Sequence, residues 1–277
     1  MIKIGHCYTL EVVKIVDFGA YVDAKNLGEV LVPRRYLRQG VEIGSELKVF
    51  IYVDAQDRYI ATTQKPRAEV GQFALLKVVD VNEVGAFMDL GIDKDVMVPF
   101  AEQHRPMVVN GSHIVYLYLD NNDRITASSK IEKFIVDKQS HRYKAKQKVN
   151  ILVANSTDLG YRAIINNHIW GLLHKGDVFE RLSYGDKKVA FIKEVRPDGR
   201  INLTLTGGQE TRDKHARTLL VNLEKHGGFL AVHDKSSPEE ISRLFGMSKA
   251  AFKKTIGGLY KKRIISIASD GIRLLDK

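Results

Sequence analysis

The sequence predicts a mainly β chain: three small closed barrels in series, followed by a small α+β domain. Three observations carry that prediction. One segment repeats at a spacing of 66 residues and returns a third time, more weakly, 75–76 residues further on. Within each copy, short β-branched stretches alternate with turn residues, and no long helical pattern appears. After Leu205 the apolar spacing changes from about 2 to about 3.6, the period of a helix.

The repeat is legible residue by residue. Gly19-Ala20-Tyr21-Val22 recurs as Gly85-Ala86-Phe87-Met88, and Val30-Leu31-Val32-Pro33 as Val96-Met97-Val98-Pro99. Asp57-Arg58-Tyr59-Ile60-Ala61-Thr62 recurs as Asp123-Arg124-Ile125-Thr126-Ala127-Ser128, and Gly5 and Gly71 open the two units. The third copy keeps Leu159-Gly160-Tyr161, Trp170-Gly171-Leu172-Leu173-His174 and Gly199-Arg200-Ile201-Asn202-Leu203-Thr204-Leu205. In the first unit the expected strands are residues 10–16, 21–23, 30–32, 47–53 (long and alternating) and 58–62. Five short strands in about 60 residues suit a barrel, whose closure leaves no sheet edge. A β-sandwich of similar strands is the competing arrangement. Gly19, Gly85 and Gly160 suit strands that bend sharply at a barrel corner. The polar, charged segment 130–145 reads as a helical connector.

Beyond Gly207-Gly208, a joint, Ala216, Leu219, Leu220 and Leu223 line one face of a helix that stops at His226-Gly227-Gly228. Ser237-Pro238-Glu239-Glu240 starts a second helix with a serine cap, proline in the first turn and a capping-box glutamate. That helix ends at Gly246. Ser248 caps a third, which turns Phe252, Ile256 and Leu259 inward and runs to about Lys262. Strands at 264–267 and 272–275 follow, joined through Ser269-Asp270-Gly271. Helix, helix, tight turn, helix, hairpin is the order of a winged helix. The expected domains are thus 1–66, 67–145 (barrel plus connector), 146–206 and 207–277.

Composition narrows the function classes. With 277 residues, 44% hydrophobic and 27% charged, the chain is neither disordered nor fibrous. Its apolar runs are far shorter than the roughly 20 residues of a membrane helix, and its start lacks the apolar stretch of a secretory signal. Cys7 has no partner for an internal disulfide. A soluble, cytoplasmic protein is expected. Lys plus Arg less Asp plus Glu gives +1 for residues 1–66, −1 for 67–145, +4 for 146–206 and +6 for 207–277. The whole excess of +10 therefore lies after residue 145. A one-sided excess points to a face meeting a polyanion, nucleic acid first.

Asp17-Phe18-Gly19-Ala20-Tyr21-Val22 and Trp170-Gly171-Leu172-Leu173-His174 resemble the signature of S1-type oligonucleotide-binding barrels (OB-folds). Three such barrels and a winged helix resemble the conserved virulence factor B family of bacterial RNA-binding proteins. The resemblance covers nearly the whole chain and is most specific over 85–99, 157–174 and 228–254. It implies RNA binding without catalysis, in post-transcriptional control. It also implies three contact positions per barrel: an aromatic before the glycine, an aromatic two residues after it, and a histidine on the next strand. The first barrel offers Phe18 and Tyr21 but Pro33; the second offers Val84, Phe87 and Pro99; the third offers Leu159, Arg162 and His174.

Aromatic stacking favours the first barrel. Charge favours the third, where Lys175, Arg181, Lys187, Lys188, Lys193 and Arg200 accompany Arg162 and His174. Phosphate contacts supply most non-specific affinity, and arginine also stacks on bases. The expected surface is therefore the third barrel together with Lys249, Lys253 and Lys254 on the outer face of the third helix, as one groove for a single strand. Phe18 and Tyr21 form a second contact, or alternatively belong to a barrel core. Single-stranded RNA is the expected partner and single-stranded DNA a second candidate. The competing readings are a transcription regulator, with the winged helix on duplex DNA, and an accessory subunit of a ribonuclease.

Catalytic and cofactor chemistry is not expected. The nine histidines lack the paired spacing of a zinc site. Gly171 to Gly176 has the glycine spacing of a phosphate loop, but Asp177-Val178 follows in place of Lys-Ser/Thr. Asp89, Asp93 and Asp95 form an acidic knot interleaved with Lys94, a poor match to a two-metal site.

Overall fold

In a computed structural model, the chain forms three closed five-stranded barrels and a C-terminal domain of three helices and a three-stranded sheet. The structure describes residues 1–135, 142–178, 180–206 and 209–275, with only the backbone over 209–212. The chain divides into two compact units, Met1–Ile135 and Val136–Lys277.

In the first unit, strands β1 (Cys7–Val16), β2 (Gly19–Asp23), β3 (Glu29–Pro33), β4 (Glu46–Val53) and β5 (Tyr59–Thr62) close in the order β1-β2-β3-β5-β4. The second barrel repeats this with β6 (Phe73–Val81), β7 (Gly85–Met88), β8 (Val96–Pro99), β9 (Ser112–Leu119) and β10 (Ile125–Ser128). Closure decides against the sandwich. Alternate residues point inward, as the two-residue period of a strand requires. Val12, Ala20, Val22, Val30, Val32, Val49, Ile51 and Ala61 are buried in the first core. Each buried Val or Ile contributes about 1.5–3 kcal/mol.

The glycine ahead of each second strand has a steric cause. Gly19 faces Pro33, and a Cβ on it would lie 2.3 Å from the Val32 carbonyl oxygen. Gly160 faces His174, and its Cβ would lie 2.0 Å from the Leu173 oxygen.

The expected alternation of β4 does not hold at its end. Residues 49–53 are all buried, because the outward Phe50 and Tyr52 pack into the core of the second barrel. A strand covered on both faces reads as a continuous apolar run. Polar contacts complete this junction within the unit. Asp93 accepts from the Tyr36 hydroxyl (2.8 Å) and the Gln64 amide (2.6 Å), with Arg35 at 3.5 Å. Lys94 donates to the Val53 carbonyl at 2.6 Å, and Arg124 pairs with Asp57 at 2.7 Å. Within the acidic knot, Asp93 thus clasps the two barrels, whereas Asp89 pairs with Arg67 of its own domain at 2.5 Å. Of the expected helical connector, Ile131–Phe134 form a 3-10 turn, and residues 136–141 lie outside the described residues.

In the second unit, β11 (Lys148–Ser156), β12 (Gly160–Ile165), β13 (Ile169–His174), β14 (Lys187–Val195) and β15 (Ile201–Thr204) close in the same order, β11-β12-β13-β15-β14. The Gly207-Gly208 joint lies outside the described residues. Helix α1 (Gln209–Lys225) then packs Leu219 and Leu223 against α2 (Pro238–Phe245) and α3 (Lys249–Lys261). Ser237 caps α2 by accepting from the Glu240 amide at 3.1 Å, and Ser248 caps α3 by accepting from the Ala251 amide at 3.0 Å. The hairpin, β17 (Ile265–Ala268) and β18 (Gly271–Leu274), gains an unexpected neighbour, β16 (Phe229–Leu230), giving the order β16-β18-β17.

Candidate nucleic-acid interface

The three barrels present the same outer face, so their side chains compare position by position. In β1, β6 and β11 a bulge falls at the equivalent place, after Val12, Val78 and Val153. A bulge re-aims the residues that follow it. The cross-strand pairs beyond it are Lys14 with Tyr21, Asp80 with Phe87, and Asn155 with Arg162. On the next strand, Tyr21 faces Leu31, Phe87 faces Met97, and Arg162 faces Leu172.

In barrel 1, Phe18 is 59% exposed, and the Lys14 ammonium lies 5.7 Å from the Tyr21 ring centre. Neither aromatic belongs to the barrel core. Pro33 occupies the position of the expected histidine. Barrel 2 offers Val84, Phe87 and Pro99 there, with a carboxylate, Asp80, beside the ring.

Barrel 3 carries a groove of about 710 Å³, lined by Thr157, Asp158, Leu159, Arg162, Trp170 and Leu172 with Arg200 at the β14–β15 turn. On β12 and β13, residues 161, 163 and 165 and residues 169, 171 and 173 alternate inward. Arg162, Trp170, Leu172 and His174 are thereby left on the outer face. The Arg162 guanidinium lies 4.0 Å from the Trp170 ring centre, a cation–π stack. His174 Nε2 lies 3.2 Å from Asn202 Oδ1, and the Asn202 amide donates to Glu194 Oε1 at 2.5 Å. Because the Asn202 oxygen accepts, Nε2–H is the donor of that bond, which anchors the imidazole on the sheet and leaves Nδ1 as the ring nitrogen for a ligand.

Trp170 is the residue that sequence comparison of the repeats passes over as a contact. Its equivalents are Glu29 and Asp95, so the repeat gives no hint of an aromatic there. The available signal is its spacing: four residues before His174 on one strand puts both on the same face.

The basic residues are placed unevenly. Lys175 is exposed directly after His174. Arg200 is exposed, 3.9 Å from Asp198, which also pairs with Arg196. Lys193 is held by Asp177 at 2.6 Å and Lys188 by Glu180 at 2.9 Å. On α3, Phe252, Ile256 and Leu259 are buried, while Lys253 and Lys254 are exposed. Lys253 lies 3.8 Å from Asp234, and the half-buried Lys249 donates to the Lys235 carbonyl at 3.3 Å. Between barrel 3 and the helices lies a cavity of about 460 Å³, lined in part by Asp177, Glu180, Lys188, Lys214 and His215. The three α3 lysines do not line it. Among the described residues, no group of three or more His, Cys, Asp or Glu side chains is placed to hold a metal ion, and no helix is long and apolar enough to cross a membrane.

Residues 4–64 and 70–130 match the S1 domain family, and residues 217–274 match the CvfB-like winged helix domain. The C-terminal domain is a winged helix similar to the CvfB-like one. Relatives match over most of their own length. An uncharacterized protein of Bacillus subtilis (strain 168), YitL, is 28% identical over 93% of this chain and 89% of its own. The conserved virulence factor B of Staphylococcus saprophyticus is 26% identical over 86% of this chain and 82% of its own. A crystal structure of a multidomain protein with nucleic acid binding domains from Streptococcus pneumoniae TIGR4 covers 98% of both chains at 24% identity, with a TM-score of 0.39. Two S1 domains, a third barrel of the same strand order and a CvfB-like winged helix thus account for the chain.

Proposed function

We propose that the protein binds nucleic acid, and specifically single-stranded RNA along the outer face of barrel 3, without catalysing a reaction on it, as a cytoplasmic factor in post-transcriptional control. The S1 domains support the nucleic-acid role. The Arg162–Trp170 stack inside an open groove carries the finer reading. A base that stacks on this pair, or displaces the guanidinium from the indole, gains roughly 1–3 kcal/mol without regard to sequence. His174, Lys175 and Arg200 supply polar and cationic groups along the same face for the backbone. The α3 lysines extend the basic surface in the same unit, with Lys253 and Lys254 as the exposed phosphate contacts.

The test is anisotropy titration of the whole chain with 16-mer single-stranded RNA, single-stranded DNA and duplex DNA over a range of salt. Trp170 is the single tryptophan, so its fluorescence reports the groove directly. Single-stranded RNA should bind most tightly and quench Trp170. Trp170→Ala, and the double change Arg162→Ala with His174→Ala, should each weaken it by about 10- to 100-fold. Duplex preference insensitive to these changes would make the winged helix a DNA reader, and the groove reading would fall.

A further inference from the structure

Barrel 2 departs from its neighbours at the row that matters most for a polyanion. Where Lys14 accompanies Tyr21 in barrel 1 and Asn155 faces Arg162 in barrel 3, barrel 2 sets the exposed carboxylate of Asp80 opposite Phe87. Phe87 faces Met97, and Pro99 faces Gly85 on the same two strands. Val84 and Phe100 lie at the end of these strands, 52% and 53% exposed. At the opposite end, Asp89 and Asp95 flank the last strand pair, Met88 with Val96. Burial, and then the charges of Asp89 and Asp80, push the Asp95 carboxyl above its ordinary value. The three carboxylates therefore share one neighbourhood, in which Arg67 neutralises Asp89.

The resulting surface is an apolar strip with carboxylates along one side and one end. A phosphodiester chain stacked on Phe87 would run beside Asp80 and Asp95, like charge against like. A contiguous exposed apolar patch rimmed by polar groups marks an interaction site, and an aromatic centre with a charged rim is the anatomy of a protein interface. The repeat that carries it has net charge −1 in a chain of +10. Complementarity then fixes the occupant. We propose that the outer face of barrel 2 docks a protein segment presenting aliphatic side chains flanked by lysine or arginine. Phe87, Met97 and Pro99 receive the aliphatic groups, and Asp80 and Asp95 receive the cations.

The proposal is independent of RNA binding by barrel 3, and the experiment separates the two. The probe is a labelled dodecapeptide alternating pairs of leucine and lysine, compared with one in which serine replaces leucine. Both are titrated into the whole chain near physiological salt. The leucine–lysine peptide should bind, the serine–lysine peptide at least 10-fold more weakly. Phe87→Ser and the exposed change Asp80→Lys should each weaken binding about 10-fold, whereas Trp170→Ala leaves it unchanged. Melting curves verify that Phe87→Ser is folded, and Asp80→Lys tests the charge without touching the strip. Equal binding of both peptides, or insensitivity to both barrel 2 changes, would overturn the proposal. So would a loss of RNA affinity in Phe87→Ser, which would make this face a nucleic-acid surface. Self-association of the unmodified chain that Phe87→Ser abolishes would assign the face to a second copy and equally overturn it.

Discussion

At the scale of single residues, the outer faces are set by positions where only one side chain will do. Gly160 opens β12 with its α-carbon against β13, and any Cβ there meets the Leu173 carbonyl oxygen at 2.0 Å, a backbone atom that no rotamer change can move aside. Its φ of +155° is one that side chains rarely adopt. Gly160→Ala should therefore destabilise the second unit by about 2–4 kcal/mol, within the range of severe single substitutions. Urea unfolding followed by Trp170 fluorescence measures this; a change under about 0.5 kcal/mol would mean that β12 and β13 can separate without cost. Because Gly160 lies directly opposite His174, the same change should also weaken RNA binding where the variant remains folded. Glycine is here a packing requirement of the strand pair that carries the histidine.

At the scale of elements, what was legible in the sequence follows from how local each constraint is. Strand periods, turn glycines and helix caps are written within a few residues, so the barrels and the starts of α2 and α3 read directly. Ser237→Ala should cost about 1 kcal/mol, because the Glu240 amide would lose its acceptor; calorimetry of the whole chain should show the transition of the second unit several degrees lower. A two-residue strand has no period to read, so β16 stayed hidden, and the burial of Phe50 and Tyr52 depends on a barrel whose first strand begins only at Phe73. Trp170 was missed as a contact because its equivalents in the other barrels are acidic. The Asp93 clasp was equally invisible, since its partners lie 29 to 58 residues away in barrel 1. Hydrogen bonds from Gln64, then Tyr36, with the charge of Arg35, hold the Asp93 carboxyl below its ordinary 3.8. A depressed folded value means that the clasp contributes fully above the unfolded value and is lost as pH falls through the folded one. The difference in urea midpoint between the unmodified chain and Asp93→Ala should thus stay constant above about pH 5 and shrink as the solution is acidified below about pH 4. A gap that widens in acid would show that Asp93 is not held as its ionised form.

For the whole molecule, the division of charge predicts the division of labour. Residues 1–145 are neutral overall and residues 146–277 carry all of the +10, so the proposed RNA binding predicts that its electrostatic component belongs to the second unit. Each phosphate neutralised on a single strand changes the slope of log affinity against log salt by about 0.7. Changing Lys249, Lys253 and Lys254 together to glutamine should flatten that slope by about 1–2, the lower end reflecting Asp234 beside Lys253 and the Lys235 carbonyl already bound by Lys249. The matched control removes three exposed charges from the first unit, Lys3, Lys77 and Arg105, and should leave the slope unchanged. Local contact and long-range attraction differ in this measurement. If the two triple variants flatten the slope equally, binding follows net charge alone and the α3 lysines hold no phosphates. If only the α3 variant does so, and Trp170→Ala lowers affinity at every salt concentration without altering the slope, the two terms are separated: stacking in the barrel 3 groove and phosphate contact on α3, both carried by the basic unit.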